Sequence, residues 1–98
     1  MANKTINKNT GRILPHSSEA EEAVLGCMLI NTDSVPKAIQ NLEINSFYST
    51  INQVIYGNMV ELFEHNKTID YVSLIDQLKK NDKLEDIGGA YYITGLSK

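Results

Sequence analysis

"LPHSSEAEEAVLG", residues 14–26, decides how this chain is read. One histidine, two serines and three glutamates fall within seven positions, ahead of an apolar run. They either assemble a catalytic or metal site or open a helix. A helical metal pair needs ligands three or four residues apart on one face. His16 precedes the helix, Glu19 and Glu22 sit one turn apart at its end, and the only other histidine is His65. Ser17 or Ser18 beside His16 makes a poor nucleophile–base pair, because chain neighbours rarely meet in that geometry. Helix capping accounts for more of the residues. Ser18 and Glu21 have the S-x-x-E spacing of a capping box, which satisfies two orphan amides reciprocally. Glu19, Glu21 and Glu22 place negative charge where the helix dipole favours it.

Working outward, residues 18–30 carry Ala20, Ala23, Val24, Cys27 and Met28 at three- and four-residue spacing, widened by Leu25 and Leu29. That spacing predicts an amphipathic helix with this stripe buried. "INTDS", residues 30–34, breaks it. Asp33 or Ser34 can cap a short second helix over about 34–41, with Pro36 tolerated in its first turn. Phe47 and Tyr48 lie in the connector that follows and are expected to plug the core. A third helix, about 49–65, is capped by Ser49 or Thr50 and presents Ile51, Val54, Ile55, Met59, Leu62 and Phe63. Gly57 inside it costs roughly 1 kcal/mol relative to alanine, which suggests close helix packing there. Asp70 caps a fourth helix, about 71–80, with Val72, Leu74, Ile75 and Leu78 inward and lysines in the last turn. Gly88 and Gly89 make a tight break with a positive φ expected at one of them. Ala90 to Leu96 is a last short helix. Adjacent helical residues point about 100° apart, so one of Tyr91 and Tyr92 faces the core and the other solvent. No stretch sustains strand-like alternation, and the expected fold is an all-α compact bundle of five or six short helices.

The chain has 98 residues, 42% hydrophobic and 21% charged, which suits one small soluble domain. Residues 1–12 carry Lys4, Lys8 and Arg12 and no acid, and read as a flexible N-terminal arm. Residues 13–98 read as the folded domain. With the arm set aside, 6 basic and 12 acidic side chains remain. An acidic body argues against a duplex-binding surface and suits a protein partner. Cys27 is the only cysteine, so no disulfide framework forms within the chain, and a single buried thiol fits a reducing, cytoplasmic setting. No run approaches about 18 consecutive apolar residues, so no membrane span is expected. The G-x-x-x-x-G-K-[ST] phosphate loop is absent, and Gly88-Gly89 follow no strand.

The residues together resemble a known family. "LPHSSEAEEAVLGCML" is similar to the opening of the N-terminal domain of bacterial replicative DNA helicases of the DnaB type. The order continues with Phe47-Tyr48 and then with "VIYGNMVELFEHNKTIDYVSLIDQLKKNDKLEDIGGAYYITGLSK". Pro15, His16, Glu19, Glu21, Ile55, Tyr56, Met59, Leu62, Ile69, Asp70, Gly88, Gly89 and Tyr92 all fit the family pattern. The resemblance covers about 12–98. Two positions depart from it: Ser46 stands where an acidic residue is usual, and Asn52 where a histidine is often seen. Both read as surface changes.

The resemblance implies a function that composition cannot supply. Such helicases are hexameric rings that unwind DNA with ATP and magnesium, through a motor domain that this chain lacks. The expected role is therefore non-enzymatic: assembly of the ring's N-terminal collar and docking of the primase C-terminal domain. Neighbouring helicase subunits, and in some systems a loader, are the other expected partners, with DNA met only through the full-length ring. Asp86, Tyr91 and Tyr92 are the candidate partner-binding residues, with Glu19 and Glu22 on the exposed side of the first helix beside them. No catalytic, cofactor or metal residue is expected in the fragment. The rival reading is a weak single-stranded DNA module using Lys4, Lys8, Arg12 and the tyrosines. A hydrolase built on His16 is the third.

Overall fold

Ser17, one residue earlier than the capping box requires, opens the first helix: its Oγ accepts from the Ala20 amide at 3.1 Å. In the computed structural model the described residues are 17–97. They form α1 (Ser18–Ile30), α2 (Ser34–Asn41), a 3-10 turn (Ile44–Ser46), α3 (Thr50–Glu64), α4 (Tyr71–Lys80) and α5 (Gly89–Gly95). The Ser18–Glu21 box does not form. The Glu21 carboxylate instead turns inward and accepts from the Tyr48 amide at 2.7 Å, the Ser49 amide at 3.4 Å and Asn52 Nδ2 at 2.9 Å. Donors from another segment outcompete its own helix end.

The buried face of α1 is Leu25, Gly26, Met28 and Leu29. Ala20, Ala23, Val24 and Cys27, expected inside, are exposed, and so the Cys27 thiol is not a core group. Periodicity could not set the phase, because the helix is apolar nearly all round after its first turns. Gly26 sets it. A Cβ built there would lie 2.2 Å from the Leu96 carbonyl oxygen, so only glycine lets the end of α5 approach.

Neither Asp33 nor Ser34 caps α2 by side chain; Ser34 Oγ donates to the Asn31 carbonyl at 2.7 Å and closes the preceding turn. The far end of α2 is tied to α3, where the Tyr56 hydroxyl donates to the Leu42 carbonyl at 2.7 Å. Ser49 caps α3, accepting from the Asn52 amide at 3.3 Å. From α3, Ile55, Tyr56, Met59 and Leu62 enter the core. Ile51 and Phe63, at the two ends of the expected stripe, stay more than a third exposed. A Cβ built at Gly57 would stand 3.6 Å from the Ile44 side chain, so its close neighbour is the 3-10 turn and not a helix.

Asp70 caps α4 as expected. Its carboxylate accepts from the Ser73 amide at 2.8 Å, and its own amide donates to Ser73 Oγ at 2.9 Å. Leu74 and Leu78 are fully buried and Ile75 is half-buried. Val72, expected inward, is 77% exposed. It lies two positions from Leu74, about 200° around the helix, so the two cannot share a face. The turn before α5 takes a positive φ at both glycines, 105° at Gly88 and 78° at Gly89, where one was expected.

The core gathers Leu25, Met28, Ile55, Met59, Leu74, Leu78, Ile87 and Ile93 around the Phe47 and Tyr56 rings, whose centroids stand 4.9 Å apart. Phe47 plugs the core from its loop, whereas Tyr48 is 65% exposed. Strand alternation would put Phe47 and Tyr48 on opposite sides of an extended backbone, and the extended φ and ψ at Phe47 do so.

Candidate partner-binding surface

α5 runs beside α1 in the same direction. Tyr92 lies close to Glu22 near the start of α1, and the Leu96 backbone rests against Gly26 one turn on.

Tyr92 is the half-buried member of the tyrosine pair. Its hydroxyl donates to Asn52 Oδ1 at 2.8 Å, and Asn52 Nδ2 donates onward to Glu21. Glu21, Asn52 and Tyr92 thus join α1, α3 and α5 through one polar chain. Burial pushes the Tyr92 hydroxyl above its ordinary range; the Glu22 and Glu21 carboxylates push the same way, and the Asn52 contact partly opposes them. A half-buried phenol anchored on Asn52 cannot rotate freely, which restrains the azimuth of α5.

Tyr91 follows from that azimuth. It sits about 100° around the helix and is 89% exposed, an amphipathic ring projecting from a fixed base. Asp86 and Glu19 are exposed, and Glu22 is half-buried against Tyr92. So the structure sets Tyr92 close to Glu22 and Tyr91 beside them. Glu22 is not on the open side of α1, because α5 covers it.

Sequence reading missed Asn52 and Glu21. Asn52, taken as a surface change, is 1% exposed. Its signal was present: residues 52, 55, 56 and 59 fall at i, i+3, i+4 and i+7, so a polar residue occupied the apolar stripe. Ser46 is exposed as expected, and its Oγ accepts from the Glu43 amide at 3.0 Å. His16, Lys4, Lys8 and Arg12 lie outside the described residues. Among those described, no three His, Cys, Asp or Glu side chains gather to hold a metal ion. An open groove of about 280 Å³ lies at the other end of α1, lined by Thr32, Val35, Pro36, Phe63, Thr68 and Ile69 among others. No described helix is long and apolar enough to cross a membrane.

The pattern of the DnaB-like helicase N terminal domain matches residues 13–98, nearly the whole chain. The chain belongs to that family. Among the relatives of this DnaB-like domain is the replicative DNA helicase DnaB of Rhodothermus marinus, 34% identical over 92 residues, covering 94% of this chain and 10% of that protein. The replicative DNA helicase DnaB of Treponema pallidum is 36% identical over 87 residues, covering 89% of this chain and 20% of that protein. The chain therefore spans a fifth or less of these relatives. Its fold matches the crystal structure of the N-terminal domain of DnaB helicase from Mycobacterium tuberculosis with a TM-score of 0.82 and 30% identity, over 85% of this chain and 60% of that one. The all-α DnaB-like fold expected from the sequence is the one observed.

Proposed function

We propose that this DnaB-like domain is a non-enzymatic assembly and docking module of a hexameric replicative helicase. On this reading it supports the ring's N-terminal collar and offers the α1–α5 edge to the primase C-terminal domain. ATP and magnesium belong to the motor of the full-length protein, and a loader is a further candidate partner. The setting is cytoplasmic DNA replication.

The observation that carries the reading is Tyr91, 89% exposed on a helix whose rotation Tyr92 and Asn52 restrain. Rigid tyrosines are favoured interface anchors because they bury much area for little entropy. The exposed carboxylates of Asp86 and Glu19 favour a partner surface carrying Lys or Arg, and disfavour nucleic acid.

Titration of labelled domain with the cognate primase C-terminal domain tests this. Tyr91→Ala should weaken binding at least about tenfold while the fold is kept, in the range expected for a buried interface aromatic. Unchanged affinity removes Tyr91, and with it this edge, from the docking surface.

A further inference from the structure

The groove of about 280 Å³ is lined from the turn after α1, the start of α2, the end of α3 and the stretch that leads into α4. Much of its lining is apolar: Val35 and Ile69 are buried, Phe63 is 38% exposed and Pro36 is open to solvent. The volume falls just under the roughly 300 Å³ at which small-molecule sites begin. It suits one large side chain.

Two polar features accompany the apolar ones. Thr68 and Ile69 belong to the short stretch between α3 and α4 that is neither helix nor turn. Their amides make no hydrogen bond with any described residue, although Ile69 is buried, so main-chain donors are left unspent in the lining. Lys67 is the only charged side chain of the groove, is exposed, and forms no ion pair among the described residues. It also lines a second cleft, with His65 and Lys80. The one acid there, Glu61, already accepts from Gln77 at 2.7 Å and Asn81 at 3.3 Å.

We propose that the groove takes an extended acidic peptide of a partner protein. One large apolar side chain of the peptide enters between Val35, Phe63 and Ile69. The peptide main chain pairs with the Thr68 and Ile69 amides, and a carboxylate beside the apolar residue meets Lys67. None of these residues belongs to the Tyr91 edge, so the site goes beyond the docking role above.

Charge and shape choose this occupant. Residues 1–12 of the chain itself carry Lys4, Lys8 and Arg12 and no acid, the wrong sign for Lys67. A small concavity admits a side chain and excludes a flat folded surface, and unpaired amides call for a main chain. The body as a whole is acidic, so the attraction is local to Lys67 and fades within a Debye length of about 8 Å. The affinity is therefore modest.

Titration of the isotope-labelled intact chain with the peptide Gly-Asp-Leu-Phe-Asp-Gly, followed by amide chemical shifts, tests this. The Thr68 and Ile69 amides should move most, with Kd on the order of 10⁻⁴ to 10⁻³ M. Gly-Lys-Leu-Phe-Lys-Gly should bind about tenfold more weakly, and Gly-Asp-Ser-Ser-Asp-Gly not at all. Lys67→Glu, at an exposed position, should reverse the preference between the first two peptides and leave the melting curve and the primase titration unchanged. No shift at Thr68 and Ile69 overturns the proposal. So does binding that the acidic and basic peptides share equally, or that Lys67→Glu leaves as it was. Groove amides that move with protein concentration alone would give the groove to a second copy. Contacts from Ile13 or Leu14 would give it to the chain's own first residues, and either result also overturns the proposal.

Discussion

The Tyr92 hydroxyl donates to Asn52 Oδ1 at 2.8 Å, across 40 positions of sequence. Because Asn52 also donates to Glu21, removing the amide takes one acceptor from a phenol and one donor from a carboxylate. Asn52→Leu should therefore cost about 2–3 kcal/mol, more than an exposed substitution, because buried polar groups lose their partners. Asn52→His should cost less. An imidazole can donate from one nitrogen and accept at the other, and so serve both neighbours. Urea denaturation of the two variants checks the order; equal losses would show that the polar chain does not matter.

Alkaline pH should act on the same place. The folded Tyr92 hydroxyl ionises above its ordinary value of 10.0, and burial raises Tyr56 in the same direction. Above about pH 10 the unfolded chain therefore gives up protons that the folded chain keeps. Stability contributed by these groups is complete below that pH and falls as pH rises through the folded values. Tyr92→Phe should flatten part of that fall. Denaturation midpoints from pH about 8 to 11 measure it, and parallel curves for the variant and the parent would contradict it.

Gly26→Ala should be among the most damaging single-carbon changes. The new Cβ meets the backbone carbonyl of Leu96, which has no rotamer to yield. Overpacking of this kind costs about 1–3 kcal/mol, and here it also pushes α5 off α1. Tyr92 should lose its contacts as a result, which amide chemical shifts at Asn52 would report. Gly95→Ala is the control, since nothing lies within 4 Å of that position.

On α4, Val72→Ser should change stability by no more than about 0.5 kcal/mol, whereas Leu74→Ala should cost about 2–5 kcal/mol. One is 77% exposed and the other fully buried. Thermal melts of the pair decide whether the helix is rotated as described.

Most of the architecture was legible in the sequence for local reasons. Ser49 and Asp70 marked helix starts because a side-chain oxygen at that point satisfies an amide three residues on. The rotation of α1 was not legible. Alanines, a valine and a cysteine suit either a core or a second interface, and only the approach of Leu96 to Gly26 chooses between them. At the candidate surface, alternation around the helix separated Tyr91 from Tyr92. The partners of Tyr92 come from α1 and α3, and no local pattern announces a hydrogen bond between distant segments.

The side-by-side run of α1 and α5 joins the first described helix to the last. During synthesis on the ribosome α1 must wait, with the slot at Gly26 empty, until α5, about 60 residues further on, has emerged. The α3–α4 pair, close in sequence and sharing Met59, Leu74 and Leu78 in the core, can form well before that. α5 is then the last piece to dock and the first to leave, a single short helix whose opening needs little else to move. Amide hydrogen exchange should rank Ile93 below Ile55 in protection, and the tyrosine edge would come and go with that helix as a unit.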